Sequence, residues 1–181
     1  MSDNTKNISK FLSLVLRHKP EQIGLTLDQN GWASVTELLA KLHANGSPVS
    51  MELLEEIVDS NNKKRFAFNN DKTQIRASQG HSIEIDLDIK ACEPPALLFH
   101  GTAEKNLESI LASGLKKQNR QHVHLSDNTD TAKNVGARHG RPVVLQVNAG
   151  QMQKDGFTFY LSANNVWLTD EVPAVYLGLP L

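Results

Sequence analysis

The sequence predicts an α+β fold in two lobes, on three observations. Apolar residues at helical spacing dominate up to Val58, a hairpin pattern turning at Asn69 to Lys72 follows them, and beyond Pro94-Pro95 the chain consists mainly of short strand patterns. A chain of 181 residues with 39% hydrophobic content has room for one good core or two small ones.

From Ile8 to His18 the apolar residues Ile8, Phe11, Leu12, Leu14, Val15 and Leu16 return at helical spacing until Pro20 stops the pattern. Arg17 and His18 therefore stand at a helix end. Ser34 and Glu37 make a capping-box pattern ahead of Leu38, Leu39 and Leu42, and Asn45-Gly46 closes that helix. Ser50 can cap a third, carrying Leu53, Leu54, Ile57 and Val58. Arg65-Phe66-Ala67-Phe68 and Thr73-Gln74-Ile75-Arg76 then flank the turn Asn69-Asn70-Asp71-Lys72 as a β-hairpin. Helices followed by a hairpin in this order suggest a winged helix, a common nucleic-acid-binding module.

Ile83 to Pro95 alternates weakly and ends in Cys92-Glu93-Pro94-Pro95, where proline removes donors and forces extended backbone. The lobe boundary is placed there, giving residues 1–92 and 93–181. Ala96-Leu97-Leu98-Phe99 reads as a buried strand leading into His100-Gly101-Thr102, and a helix follows from Ala103 with Leu107, Ile110 and Leu111 on one face and Gly114 as its stop. Val123 to Leu125 suggests a strand, Thr129 to Ala137 a helix, and Pro142 to Val147 another buried strand. Phe157-Thr158-Phe159-Tyr160 and Val166-Trp167-Leu168 complete a strand-rich lobe.

Cys92 is the sole cysteine, which excludes an internal disulfide framework and a cysteine zinc site, and its ordinary role is that of a small buried hydrophobe. The start, MSDNTKNISK, lacks a basic region followed by a long apolar run, and no later stretch has the length of a membrane span. A cytoplasmic protein with no membrane partner is expected, and nothing demands more than a monomer.

The net charge of −1 conceals segregation. Glu52, Glu55, Glu56 and Asp59 precede a basic run of Lys63, Lys64, Arg65, Lys72 and Arg76, interrupted only by Asp71. A second series, Lys116, Lys117, Arg120, Lys133, Arg138 and Arg141, has only Asp127 and Asp130 against it. Solvated surface is the default explanation for such runs, and two of them favour a phosphate-bearing partner.

His122-Val123-His124 places two imidazoles on one side of a strand, yet no third His or Cys stands at ligand spacing, so no metal is expected. Walker, G-x-G-x-x-G and G-x-S-x-G motifs are absent. Arg17-His18 can offer several donors to one phosphate, although cations at a helix C-terminus are also ordinary caps. Arg65 and Arg120 carry the same ambiguity, because an isolated arginine beside a strand is usually exposed.

Ser9-Lys10-Phe11-Leu12 running to Leu16-Arg17-His18-Lys19-Pro20, then Lys64-Arg65-Phe66, Ile75-Arg76-Ala77-Ser78-Gln79-Gly80-His81-Ser82, Phe99-His100-Gly101-Thr102, His122-Val123-His124-Leu125-Ser126 and Asn165-Val166-Trp167-Leu168-Thr169 occur in order over nearly the whole chain. Together they resemble the NAD-dependent tRNA/RNA 2′-phosphotransferase family. Ser78 stands where that family's form has Asn, and Asn165 where Gly is more usual. Neither departure touches a residue assigned to chemistry.

The resemblance implies an N-terminal winged-helix RNA lobe and a C-terminal NAD lobe of the ADP-ribosyltransferase fold. It also implies a two-step reaction. An RNA 2′-phosphate, as at a tRNA splice junction, attacks ribose C1″ of NAD and expels nicotinamide. The 2″-hydroxyl then attacks the same phosphorus and releases RNA with a 2′-hydroxyl and ADP-ribose 1″,2″-cyclic phosphate. By the same resemblance an Arg-His-Arg-Arg set serving the second step falls on Arg17, His18, Arg65 and Arg120.

Fixed guanidinium donors suit a transition state whose charge grows on nonbridging oxygens, and His18 would protonate the leaving 2′-oxygen or orient the phosphate. Similarity to ADP-ribosyltransferases assigns His100 and Thr102 to the ribose next to adenine or to its diphosphate, and His124 to the nicotinamide side, with Gly101 also among the NAD-binding residues. Ser126, Asn134 and Arg138 are further NAD contacts. Val166 falls where protein-modifying relatives carry a glutamate, which fits a nucleophile that arrives already ionised. Two other readings compete: an ADP-ribosyltransferase that stops after the first step and caps phosphorylated nucleic-acid ends, and a non-enzymatic winged-helix nucleic-acid binder.

Overall fold

A computed structural model describes residues 3–60 and 64–180; Lys63 of the first basic run lies outside the described residues. Helices and sheets are mixed along the chain, as the α+β expectation requires. By its contacts the chain divides into two compact units, Met1–Asp88 and Ile89–Leu181, each with its own apolar core.

In the first unit, α1 (Asp3–Arg17) buries Ile8, Leu12, Val15 and Leu16 on one stripe. It begins ahead of the apolar pattern because Thr5 and Ser9 continue the same stripe and are buried too. A 3-10 turn at Pro20–Ile23 follows and closes on Gly24 at φ 64°. The short strand β1 (Ala33–Ser34), which the sequence pattern does not reveal, runs directly into α2 (Val35–Ala44). Ser34 Oγ accepts from the Glu37 N–H at 3.3 Å, which is one half of the expected box. The Glu37 carboxylate instead accepts from the Thr26 N–H at 3.1 Å, tying the preceding loop to α2.

Helix α3 (Met51–Asp59) starts on Ser50, whose Oγ accepts from the Leu53 N–H at 3.2 Å. Ser50→Ala leaves that donor to water, and a loss of about 1 kcal/mol is expected, measured as a lower midpoint in urea with an unchanged slope. The hairpin forms as β2 (Phe66–Phe68) and β3 (Gln74–Ala77), and the sheet order is β1-β3-β2, all antiparallel. Its inward residues Phe66 and Ile75 join Leu12, Leu16, Leu38, Leu42, Leu54 and Ile57 in the core.

Part of the first basic run is consumed by folding. Lys72 pairs with Glu55 at 3.0 Å. The Arg76 guanidinium lies 4.5 Å from the Trp32 ring centroid, and its Nη1 donates to the Asn30 and Leu87 carbonyls at 3.5 and 3.4 Å. The weak alternation after Ile83 is not a regular strand. It is an irregular strap in which Ile85 and Leu87 are buried and the Asp86 N–H donates to the Gln29 carbonyl at 2.8 Å.

In the second unit β4 (Leu98–Ala103) is longer than expected and contains His100-Gly101-Thr102 within the strand. The helix placed from Ala103 opens as a 3-10 turn, Glu104–Asn106, before α4 (Leu107–Ser113). No α4 residue is buried, and Leu111 is exposed, so its apolar face is weaker than the spacing implies. Then come β5 (Leu115–Lys116), β6 (Val123–Leu125), α5 (Thr129–Gly136), β7 (Pro142–Val147), α6 (Ala149–Lys154), β8 (Tyr160–Leu161), β9 (Trp167–Thr169), β10 (Glu171–Val172) and β11 (Leu177–Pro180).

The sheet orders are β11-β7-β4, β6-β9-β8 and β10-β5. Phe99 and Ser126 exchange both backbone hydrogen bonds at 2.8 Å, which joins β4 to the end of β6. Leu98, Leu125, Val147, Met152 and Phe159 fill the core. Phe157 and Thr158 precede β8 rather than forming part of it, and β5, β10, β11 and α6 carry no clear sequence signal. Lys116 pairs with Glu171, and Arg141 with Glu104 at 3.6 Å, so the second basic series is partly neutralised as well.

Candidate functional site

In the first unit the site residues gather at the C-terminal end of α1. Arg17 closes the helix, and its Nη2 donates to the Arg65 carbonyl at 3.4 Å, across a wide separation in sequence. His18 follows in a tight turn in which its own N–H and that of Lys19 both donate to the Leu14 carbonyl. The His18 Nδ1 lies 2.9 Å from Ser82 Oγ, and the Ser82 N–H donates to the Arg17 carbonyl at 3.0 Å.

Arg65 is held by its backbone. Lys64 before it adopts φ 41°, a left-handed conformation that costs a residue with a Cβ. Ser78 secures it, with Oγ donating to the Lys64 carbonyl at 2.8 Å and its N–H to the Arg65 carbonyl at 2.9 Å. The Ser78 side chain thus rests on Lys64, a residue not assigned to chemistry, and its contact with Arg65 is made through the backbone alone. The Asn165 departure also has a local reason: Asn165 sits at φ 59°, where Asn is tolerated better than most residues. The turn it closes holds Val166 by an exchange with Ser162, whose Oγ accepts from the Val166 N–H at 3.0 Å.

Between these pieces lies His81, only 1% exposed, with no hydrogen-bond partner for either ring nitrogen among the described residues. Burial, then the charges of Arg17, His18 and Arg76, hold its pKa down at about 4 against an ordinary 6.5. A neutral ring in the folded state and an ordinary one in the unfolded state mean that only the unfolded chain takes up a proton as pH falls from 6.5 toward 4. Stability is therefore complete above that window and lost within it, by about 1 kcal/mol near pH 5.5. Urea unfolding of the protein and of His81→Leu across that range checks this, since the leucine variant should lack this part of the acid loss.

In the second unit His100, Gly101 and Thr102 lie on β4 and His124 on β6. The His100 Nδ1 lies 3.1 Å from the His124 carbonyl, which can only accept, so the proton is on Nδ1 and Nε2 is an acceptor. Burial, outweighing that hydrogen bond, lowers the His100 pKa and keeps the ring neutral. His124 Nδ1 faces Arg120 Nη1 at 3.1 Å. A guanidinium can only donate, so His124 carries its own proton on Nε2. Desolvation and then Arg138 lower the Arg120 pKa, yet arginine stays charged at neutral pH.

Ser126 exchanges backbone bonds with Phe99, beside His100 in the chain. Asn134 is exposed on α5 and Arg138 lies just past its end. Thr102 is buried, with its Oγ1 accepting from Asn106 Nδ2 at 3.4 Å. Gly101 and Gly136 let the backbones of β4 and α5 touch: a Cβ on Gly101 would lie 1.6 Å from the Ala132 carbonyl oxygen, and one on Gly136 would lie 2.6 Å from the Thr102 oxygen. Among the described residues no group of three or more His, Cys, Asp or Glu could hold a metal ion, and no helix is long and apolar enough to cross a membrane.

The sequence reading gave no role to Ser78, Ser82 or Ser162. The first two lie inside the motif quoted for the resemblance, but only the structure shows which backbone or ring each one holds.

Residues 3–171 match the model of the family described as RNA 2′-phosphotransferase, Tpt1 / KptA family. A Flavobacterium johnsoniae protein named "Probable RNA 2′-phosphotransferase" is 58% identical over 178 residues, 98% of either chain. Proteins of the same name from Fusobacterium nucleatum, 54% identical over 97% of this chain and 98% of its own, and Acaryochloris marina, 52% identical over 97% of each chain, are also similar. Matched by the family model along almost its whole length and by relatives at more than half identity, the chain belongs to the Tpt1 / KptA family of RNA 2′-phosphotransferases.

Proposed function

We propose that this protein removes an internal RNA 2′-phosphate, of the kind left at a tRNA splice junction, by transferring it to NAD. The first unit serves as a winged-helix RNA lobe, a reading supported by its helix order and its β1-β3-β2 sheet. The second serves as an ADP-ribosyltransferase-like lobe. Its fit to a dinucleotide rests on the donor set: His100 offers Nε2 as an acceptor for a ribose hydroxyl, and His124 carries an Nε2–H donor. NAD supplies an electrophilic ribose carbon and a nicotinamide leaving group. No metal is invoked.

The RNA phosphate is ionised at neutral pH and attacks C1″ as the bond to nicotinamide breaks. Val166 suits this step, because an anionic nucleophile requires no carboxylate base beside it. In the second step the 2″-oxygen bonds to phosphorus, its proton passes to solvent, and the bond from phosphorus to the RNA 2′-oxygen breaks. Arg17, Arg65 and Arg120 stabilise the growing charge on the nonbridging oxygens, and His18 delivers a proton to the departing 2′-oxygen. Ser126, Asn134 and Arg138 contact NAD, with Gly101 and Thr102.

The observation that carries this reading is the gathering of Arg17, His18 and Arg65 at one end of α1, where Arg17 reaches the Arg65 backbone. Incubation with NAD and an RNA carrying one internal 2′-phosphate is expected to yield ADP-ribose cyclic phosphate and RNA with a free 2′-hydroxyl. An RNA that keeps its phosphate through long incubation with NAD bound would end the proposal. His100→Ala, which removes one acceptor from a ribose hydroxyl, should weaken NAD about tenfold in titration calorimetry, whereas equal affinity would remove that assignment.

A further inference from the structure

His18 is exposed, at the end of a helix, and the chain turns away immediately at Pro20. An imidazole in such a place loses rotamer freedom only if a neighbour fixes it. The segment Gly80-His81-Ser82 is built to do so. Gly80 turns at φ 87°, the His81 ring is sunk into the interior as an anchor, and Ser82 emerges with its N–H on the Arg17 carbonyl and its Oγ 2.9 Å from His18 Nδ1.

Resting on the function proposed above, we propose that Ser82 is the positioning residue for His18: its hydroxyl accepts from His18 Nδ1–H, which aims the ring and leaves Nε2 to exchange the proton of the second step.

The chemistry favours a hydroxyl in the accepting role. A general acid working through Nε2 keeps its proton on Nδ1 both before and after transfer, so an acceptor at Nδ1 serves the imidazolium and the neutral ring alike. A carboxylate there would bind the imidazolium more strongly and oppose release of the proton. A neutral oxygen orients the ring with less such bias. The exposed hydroxyl can in turn donate to water, so accepting from the ring leaves no donor stranded.

The test uses the full chain, with Ser82→Ala and Ser82→Thr. In ¹⁵N spectra of the imidazole, the neutral His18 ring of the parent should carry its proton on Nδ1, and Ser82→Ala should move it toward Nε2. With NAD and 2′-phosphorylated RNA, Ser82→Ala should slow release of cyclic phosphate about tenfold with KM for NAD unchanged, and the threonine variant should recover most of that loss. The Ser82 N–H bond to Arg17 survives both substitutions, so the variants keep the backbone clamp. A parent ring protonated on Nε2, ring shifts unmoved by Ser82→Ala, or a Ser82→Ala second step as fast as the parent's would each overturn the proposal. The spectra do not depend on turnover, so a parent that releases no cyclic phosphate would defeat the functional reading while the ring nitrogens still decide whether Ser82 sets His18.

Discussion

Arg65→Ala is expected to stall the reaction between its two steps, so that ADP-ribosylated RNA accumulates while cyclic phosphate release falls roughly a hundredfold. Loss of one fixed donor to a developing oxyanion costs on the order of 3 kcal/mol of transition-state stabilisation. The backbone placement of Arg65 should outlast this substitution. Its backbone is held by the Ser78 N–H and by Arg17, and neither bond involves the Arg65 side chain. Attack on C1″ requires only an ionised phosphate and a good leaving group, so the first step should survive.

Arg120→Ala should behave differently. Arg120 donates to His124 Nδ1, and without it the ring is free to move its proton, so both steps should slow. Denaturing gels of end-labelled RNA over time separate the two patterns. Equal loss of both steps in Arg65→Ala would refute the division of labour. Arg65→Lys should restore only part of the rate, since an ammonium is a point charge without the planar fork.

Gly101→Ala is expected to be the most damaging small substitution. The added carbon would stand 1.6 Å from the Ala132 oxygen and 2.4 Å from its carbonyl carbon, and both are backbone atoms of α5. No rotamer relieves such a clash, so helix and strand must separate. More than about 4 kcal/mol is at stake, with a fall in Tm of ~10 °C or more for a chain of this length. Under the proposed function NAD affinity should fall with it, because α5 carries Asn134 and leads to Arg138, both proposed NAD contacts. Gly46→Ala is the control: Gly46 has φ 74° but nothing within 4 Å of the added carbon, so only the conformational penalty of about 1 kcal/mol applies. Thermal unfolding followed by circular dichroism compares the two, and a Gly101→Ala protein melting near its parent would contradict the packing described for β4 and α5.

Much of the fold was legible because its signals are local. Ser34 and Ser50 cap the helices they precede, Pro20 ends the first helical pattern, and β7 spans the same residues, Pro142–Val147, that the apolar run marks. The failures share a cause in pairing across distance. β1, β5 and β10 are each two residues long and exist only because a remote strand lies beside them, and β11 follows its partner β7 through a register shift. Phe157 and Phe159 look like strand residues because they are apolar, yet Phe159 serves the core and Phe157 packs edge-on against Tyr176 before β8 begins.

The site divides similarly. Arg17 and His18 could be placed at a helix end from Pro20 alone, whereas grouping them with Arg65 and Arg120 required the family resemblance. That Arg17 meets the Arg65 backbone, that Arg120 holds His124, and that serines fix the conformations around them are consequences of folding that no spacing rule encodes.

The ion pairs Lys72–Glu55, Lys116–Glu171 and Arg141–Glu104 have a consequence for how nucleic acid would be chosen. Cations already matched to carboxylates displace few condensed counterions from a polynucleotide, and the chain's net charge of −1 adds no general attraction. Discrimination under the proposed function then falls to a few directed donors rather than to a broad polyelectrolyte field. Preference for RNA bearing the extra phosphate should persist at ionic strengths that wash indiscriminate basic proteins from their targets.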